Sequence, residues 1–223
     1  MSTLKRIVLD LETYYDDSYS LETLKAIPAY VFHPLFSVHG VAIEHPDGTR
    51  EFRTDLREAL ADLRGEYGDE LEEVIVVGHN MYFDYFVFHH VFGQKIRKIA
   101  DTRSMSYLMN GPDQPASLRE LAQLHRLPCK GDLGFLKGVR TPSLQQWTEL
   151  ANYAKTDVAI TGGLFDRYLQ EVCRTPIEFA IISHTIRMFV EKPFLVDLKG
   201  VEKGLSAIKT ALAQELRTAG YTR

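Results

Sequence analysis

A chain of 223 residues, 45% hydrophobic and 11% aromatic, has length for one domain with a sizeable core, or one domain with an appendage. Its formal net charge of −4 argues against nucleic-acid affinity resting on bulk positive charge, and leaves room for an enzyme that grips a short strand locally. Cys129 and Cys173 belong to no Cys-x-x-Cys pair, which argues against structural zinc or a disulfide framework. No run approaches the roughly 18 apolar residues of a membrane span. The N-terminal residues enter a strand almost at once, leaving no room for a signal peptide, so a cytoplasmic protein is expected.

Ile7, Val8, Leu9 and Leu11 predict a buried strand over 5–12. Asp10 and Glu12, at i and i+2, project from one side of it. Two like charges buried a few ångströms apart are unfavourable unless a proton or a cation neutralises them. A hard divalent cation, which prefers oxygen ligands, is the simplest relief. Asp-x-Glu is thus a candidate metal pair, with an ordinary strand-end turn as its plain alternative.

Beyond a tyrosine-rich loop, a short helix is expected over 20–26 and a second strand over 38–44. The turn sequence at 45–49 then predicts a hairpin whose returning strand begins at Glu51. Asp55 suits the N-cap of a helix carrying Leu56, Ala59, Leu60 and Leu63. An apolar strand over 73–78, an apolar helix over 83–92 and a short strand over 99–101 follow. The second half reads as helical. Ser117 and Glu120 form a capping box, 128–134 is a glycine-containing basic loop, and a long helix over 143–172 is expected to be interrupted at Gly162-Gly163. After residue 174 the pattern changes to a helix from Thr175 through Phe189 and an amphipathic helix to the end.

Two later acidic elements join Asp10 and Glu12. Asp84, in Asn80-x-x-x-Asp84, follows the apolar strand and falls at the start of a helix, where the macrodipole favours an anion. Tyr153 and Asp157 lie one turn apart on one face of the long helix. Each has a bland reading alone, a helix-capping Asp and a half-buried Tyr beside a solvated Asp.

As a set these motifs resemble the DEDD superfamily of 3′–5′ exonucleases, in the branch with tyrosine in its last motif. Asp10 and Glu12 match the first motif, Asp84 the second, and Tyr153 with Asp157 the third. Asp101-Thr-Arg-Ser-Met-Ser and Ser117-Leu-Arg-Glu-Leu-Ala resemble proofreading domains of family A DNA polymerases. Leu9-Asp-Leu-Glu-Thr-Tyr-Tyr-Asp is similar to the bacteriophage type in particular. The resemblance spans most of 4–170. It implies an α/β, ribonuclease H-like mixed sheet flanked by helices, with a helical C-terminal extension. It also implies that Asp10, Glu12, Asp84 and Asp157 gather two Mg2+ or Mn2+ ions, with Tyr153 orienting the attacking water. The implied setting is the cytoplasm of a bacterial or phage-infected cell.

The same resemblance implies release of nucleoside 5′-monophosphates from a single-stranded or frayed DNA 3′ end in proofreading. Its candidate substrate contacts are Leu11, Thr13, Asn80 and Phe83; core packing is the competing reading for Phe83. Lys130, Lys137 and Arg140 are open between phosphate contacts and a solvated loop. An exonuclease domain over 1–174 is expected, then 175–223 as a stretch similar to the start of a polymerase domain, with a polymerase domain or subunit as its partner. The alternatives are a ribonuclease D-like RNA trimming enzyme and a non-catalytic nucleic-acid-binding module on the same fold.

Overall fold

A computed structural model describes residues 5–171, 176–191 and 196–220. Its centre is a five-stranded mixed sheet of β1 (Arg6–Thr13), β2 (Val38–Glu44), β3 (Arg50–Arg53), β4 (Ile75–Gly78) and β5 (Ile99–Asp101), in the order β3-β2-β1-β4-β5. The hairpin β2–β3 is antiparallel and β2 runs antiparallel to β1, whereas β4 and β5 continue parallel to β1. Ribonuclease H-like topology, expected from the motifs, is the topology observed.

Register explains where the site lies. Alternation along β1 puts Ile7, Leu9 and Leu11 on one face and Arg6, Val8, Asp10 and Glu12 on the other. Pairing with β4 ends at Val8↔Val77, so Asp10 and Glu12 stand beyond the carboxyl end of the parallel strand. That is where open α/β sheets leave a crevice. The long helix α7 (Leu144–Glu171) packs across β1, β2, β3 and β4.

Several elements match expectation because their caps are written locally. Asp55 accepts from the Arg57 and Glu58 N–H groups at the start of α3 (Leu56–Tyr67). Ser117 and Glu120 close both halves of a capping box on α6 (Leu118–Leu124). The short helix near residue 20 is two: α1 (Leu21–Leu24), capped by Ser20, and α2 (Ile27–Val31) with proline in its first turn. Helix α4 (Met81–Phe92) is apolar nearly all round and buries Met81, Phe83, Tyr85, Phe86, Val87 and Phe88.

Two further features differ from the sequence reading. The α7 helix runs unbroken through Gly162-Gly163. A Cβ at Gly162 would lie 2.6 Å from Glu44 Oε1, so this glycine serves close approach of helix to sheet. Helix α5 (Thr102–Asn110) was not foreseen, and Asp101 caps it by accepting from the Ser104 N–H.

The chain divides into two compact units, Met1–Glu191 and Lys192–Arg223. The first includes α8 (Pro176–Val190), which packs on α4 and β5. The boundary expected between 174 and 175, the start of a helix at Thr175, and Cys173 all fall outside the described residues. The second unit is α9 (Leu198–Thr218), capped by Asp197, with Val201, Leu205, Ile208 and Leu212 exposed. No described helix is long and apolar enough to cross a membrane.

Candidate active site

Three of the expected carboxylates converge. Asp10 and Glu12 from β1 and Asp157 from α7 each offer an oxygen within 4.8 Å of the others. Asp157 is 2% exposed, and its Oδ1 is buried without a hydrogen-bond partner. A buried carboxylate with an unpartnered oxygen, clustered with two further acids, is the donor chemistry that a hard divalent cation requires.

Asp84 stands beside this trio. Its Oδ1 accepts the Leu11 N–H at 3.0 Å, the strand amide beyond the end of β4 pairing. Burial pushes its carboxyl up to about 7, against the pull of that N–H, and its charge in turn raises Asp10. Asp10 keeps some solvent access, yet the surrounding protein mass desolvates it and lifts its pKa well above normal, with Asp157 and Asp84 adding repulsion. Glu12 is lifted by burial and then by Asp10 and Asp157. Asp157 is raised by burial, with Lys130 opposing the shift.

The third-motif tyrosine is half-buried. Burial first, then Asp157, Glu12 and Asp10, push the Tyr153 phenol upward, so it holds its proton at neutral pH. The Lys130 ammonium lies 4.9 Å from its ring centroid and pairs with Asp157 Oδ2. Lys137 instead pairs with the exposed Asp17, and Arg140 stacks over Tyr14.

The other expected contacts are spread around the mouth. Leu11 contributes its backbone, and the Thr13 hydroxyl shares a 2.9 Å hydrogen bond with the Tyr30 hydroxyl. A cleft of about 500 Å3 opens beside Glu12, Thr13, Tyr15, Tyr30, Leu133 and Lys137. Asn80 takes a left-handed backbone (φ 69°) before α4; its N–H donates to Asp101 Oδ1 at 2.6 Å, and its side-chain oxygen accepts from Arg103 at 3.3 Å. Phe83 is buried against Tyr30, and Tyr82 meets Phe189 edge-on.

The sequence motif that begins at Asp101 does not reveal that residue's role, nor does the sequence show the placement of Lys130. Buried Asp101 accepts from the Asn80 and Met81 N–H groups and, through its other oxygen, from Ser104, so it ties the β4–α4 turn to α5. The available signal was an Asp three residues before a serine at a strand–helix junction. Lys130 carried none, because its partner lies 27 residues away in sequence.

Residues 67–172 match a family model described as 3′–5′ exonuclease, of the DNA polymerase A group. Compared by sequence with curated proteins, the chain finds no match. Among solved structures, Brucella melitensis NrnC bound to pGG aligns with a TM-score of 0.58 at 16% identity, over 84% of this chain and 82% of that one. The same protein with bound Mg2+ aligns at 0.54 and 18%, over 85% of each chain. Trypanosoma brucei RNase D aligns at 0.59 and 15%, over 87% and 69%. The catalytic core of RRP6 from the same organism aligns at 0.57 and 16%, over 86% of this chain and about half (48%) of that one. These likenesses carry the fold, and with the family match they bear out the resemblance to DEDD-type 3′–5′ exonucleases.

Proposed function

We propose, from the premise that this chain carries a 3′–5′ exonuclease domain, that it removes nucleoside 5′-monophosphates from the 3′ end of single-stranded or frayed DNA. The observation carrying this reading is the convergence of Asp10, Glu12 and Asp157, the last with a buried unpartnered oxygen, and with Tyr153 one helical turn away. A binding module that performs no chemistry has no physical need for such a cluster, which costs stability while its charges are unopposed.

Two Mg2+ or Mn2+ ions held by Asp10, Glu12, Asp84 and Asp157 would neutralise a phosphate oxygen and acidify an attacking water. Asp157 offers its unpartnered Oδ1, and Glu12 and Asp10 each bring a carboxylate oxygen within 4.8 Å of the Asp157 carboxylate. Asp84 engages the Leu11 N–H through Oδ1 and adds a fourth carboxylate beside the other three. Tyr153, its proton held by burial and by the carboxylates, orients the water through its hydroxyl and does not act as general base. Thr13 and the Leu11 backbone, beside the 500 Å3 cleft, meet the terminal nucleotide; Asn80, fixed by Asp101 and Arg103, steadies the strand behind it. Phe83 keeps little surface for a base. Proofreading beside a polymerase domain or subunit met through 175–223 is the biological role this reading favours.

A second reading, RNA 3′-end trimming, is favoured by the likeness to RNase D and to Escherichia coli RNase D, an exoribonuclease involved in structured RNA processing. One assay separates them: 5′-labelled single-stranded DNA, mismatched duplex and RNA, each with Mg2+, Mn2+ or EDTA. The expected result is a metal-dependent ladder shortening from the 3′ end, faster on DNA. Faster RNA trimming would reassign the substrate, and no metal-dependent release of mononucleotides would overturn the enzyme reading.

A further inference from the structure

Resting on the metal-site reading above, we propose that Lys130 is the resident counter-cation of the carboxylate cluster, a latch that a metal ion must displace from Asp157 before it binds. The sequence leaves Lys130 open between a phosphate contact and a solvated loop. Its ammonium instead pairs with Asp157 Oδ2 and rests over the Tyr153 ring. Asp157 is 2% exposed at its side chain while Lys130 retains 23%, so the pair is dry on the helix side and open to water on the loop side.

A second contact holds the loop closed. Arg119 donates to the Gly131 carbonyl at 2.7 Å. Gly131 lies so near the catalytic helix that a Cβ there would sit 3.0 Å from Tyr153 Cδ2. Residues 130 and 131 therefore cover both members of the third motif. Among the described residues, no other cation forms an ion pair with Asp10, Glu12 or Asp157.

One ammonium cannot neutralise three converging carboxylates, so the cluster retains a demand for positive charge that Lys130 answers only in part. A divalent ion and an ammonium cannot share the same carboxylate at contact distance, because their mutual repulsion rises as separation falls. The ammonium sits on a loop tether with one partner in the cluster, which makes it the cation that leaves. The metal-free protein thus holds the loop over Tyr153, and metal loading uncovers it. Apparent metal affinity is reduced by the fraction of molecules that are latched.

The test is metal binding without nucleic acid. Mg2+ and Mn2+ are titrated calorimetrically into the wild type, Lys130→Met, Lys130→Gln and the control Lys137→Met, which removes the same charge from the same loop without touching the cluster. The Lys130 variants should bind metal about tenfold more tightly, as expected for a site latched roughly ten to one, and the control should match the wild type. In EDTA the Lys130 variants should melt below the wild type, and saturating Mg2+ should erase that deficit. Equal affinity in the Lys130 variants, equal tightening in the control, or a melting deficit that persists in metal would each overturn the latch. If the wild type binds metal and the variants do not differ, only the latch fails; if the wild type binds none, the metal-site reading fails with it.

Discussion

Two acidic centres face α7 from the same side of the sheet, and they are handled in opposite ways. At one end, buried Glu44 accepts from Arg6 at 2.7 Å through Oε1 and from Arg50 at 2.6 Å through Oε2, and Arg6 also grips both oxygens of Asp166 on α7. Two guanidiniums meet two carboxylates, and the Arg6–Asp166 pair is a bidentate fork. At the other end, Asp10, Glu12 and Asp157 converge with one loop lysine among them; burial pushes all three pKa values up, and neighbouring carboxylates add repulsion at Asp10 and Glu12. Arg6 and Asp10 share one face of β1, and Asp157 and Asp166 share one helix, so neither strand nor helix makes the difference. Charge count does. A buried acid whose counter-charges are built in holds the fold together, whereas a cluster left short of positive charge is kept for an ion.

The largest expected effect breaks the second centre. Asp10→Ala should lower exonuclease activity by roughly 10³-fold or more, the loss of several kcal/mol of metal-mediated transition-state stabilisation. Because the substitution relieves repulsion, melting temperature in EDTA should hold or rise. Near-normal hydrolysis by this variant would erase the functional side of the comparison. Glu44→Gln tests the structural side. It leaves Arg6 and Arg50 without their shared carboxylate and should cost about 3 kcal/mol in urea unfolding, the lower end for a broken buried ion pair because both arginines can reach water. Its metal affinity should stay at the wild-type level; a large loss of metal binding with little loss of stability would show that the two centres are one.

Tyr153→Phe sharpens the distinction within the catalytic centre. The ring and its contact with Lys130 remain, and only the hydroxyl goes. Single-turnover hydrolysis should slow by about 10²-fold, as for a group that positions a proton-bearing reactant, while calorimetric metal affinity is retained. Loss of metal binding in parallel with rate would contradict that division of labour.

The smallest effect concerns His79, a half-buried base near the acids. Its ring shares hydrogen bonds with Thr102 Oγ1 at 2.9 Å and the Ala116 carbonyl at 3.1 Å, and burial holds its pKa down at about 4. The unfolded chain binds a proton near pH 6.5 that the folded chain refuses. This group therefore contributes stability above that pH, and the contribution is lost as pH falls from about 6.5 towards 4. His79→Gln should be about 1 kcal/mol less stable than wild type at pH 7.5, one hydrogen bond's worth. Chemical unfolding across the window should show that gap narrowing as pH falls; a gap that widens would mean the imidazole is charged in the folded state.

Much of this molecule was legible in order of residues. Alternation in β1, the caps at Asp55 and Ser117, the apolar strand before Gly78 and the one-turn spacing of Tyr153 and Asp157 are local, and each acts within a few residues of where it is written. From these, most of the element order followed; the candidate carboxylates followed from the family resemblance that their motifs carry. Tertiary packing decided the rest. The α7 helix runs through two glycines, and at Gly162 Glu44 and Arg6 stand where a side chain would project. Asp84 turns one oxygen to the Leu11 amide because β4 stops pairing at Val8. Lys130 closes on Asp157 across 27 residues of sequence. Spacing along a chain reports which side chains share a face of one element; which charges find partners depends on how elements approach one another, and only the folded protein holds that distance.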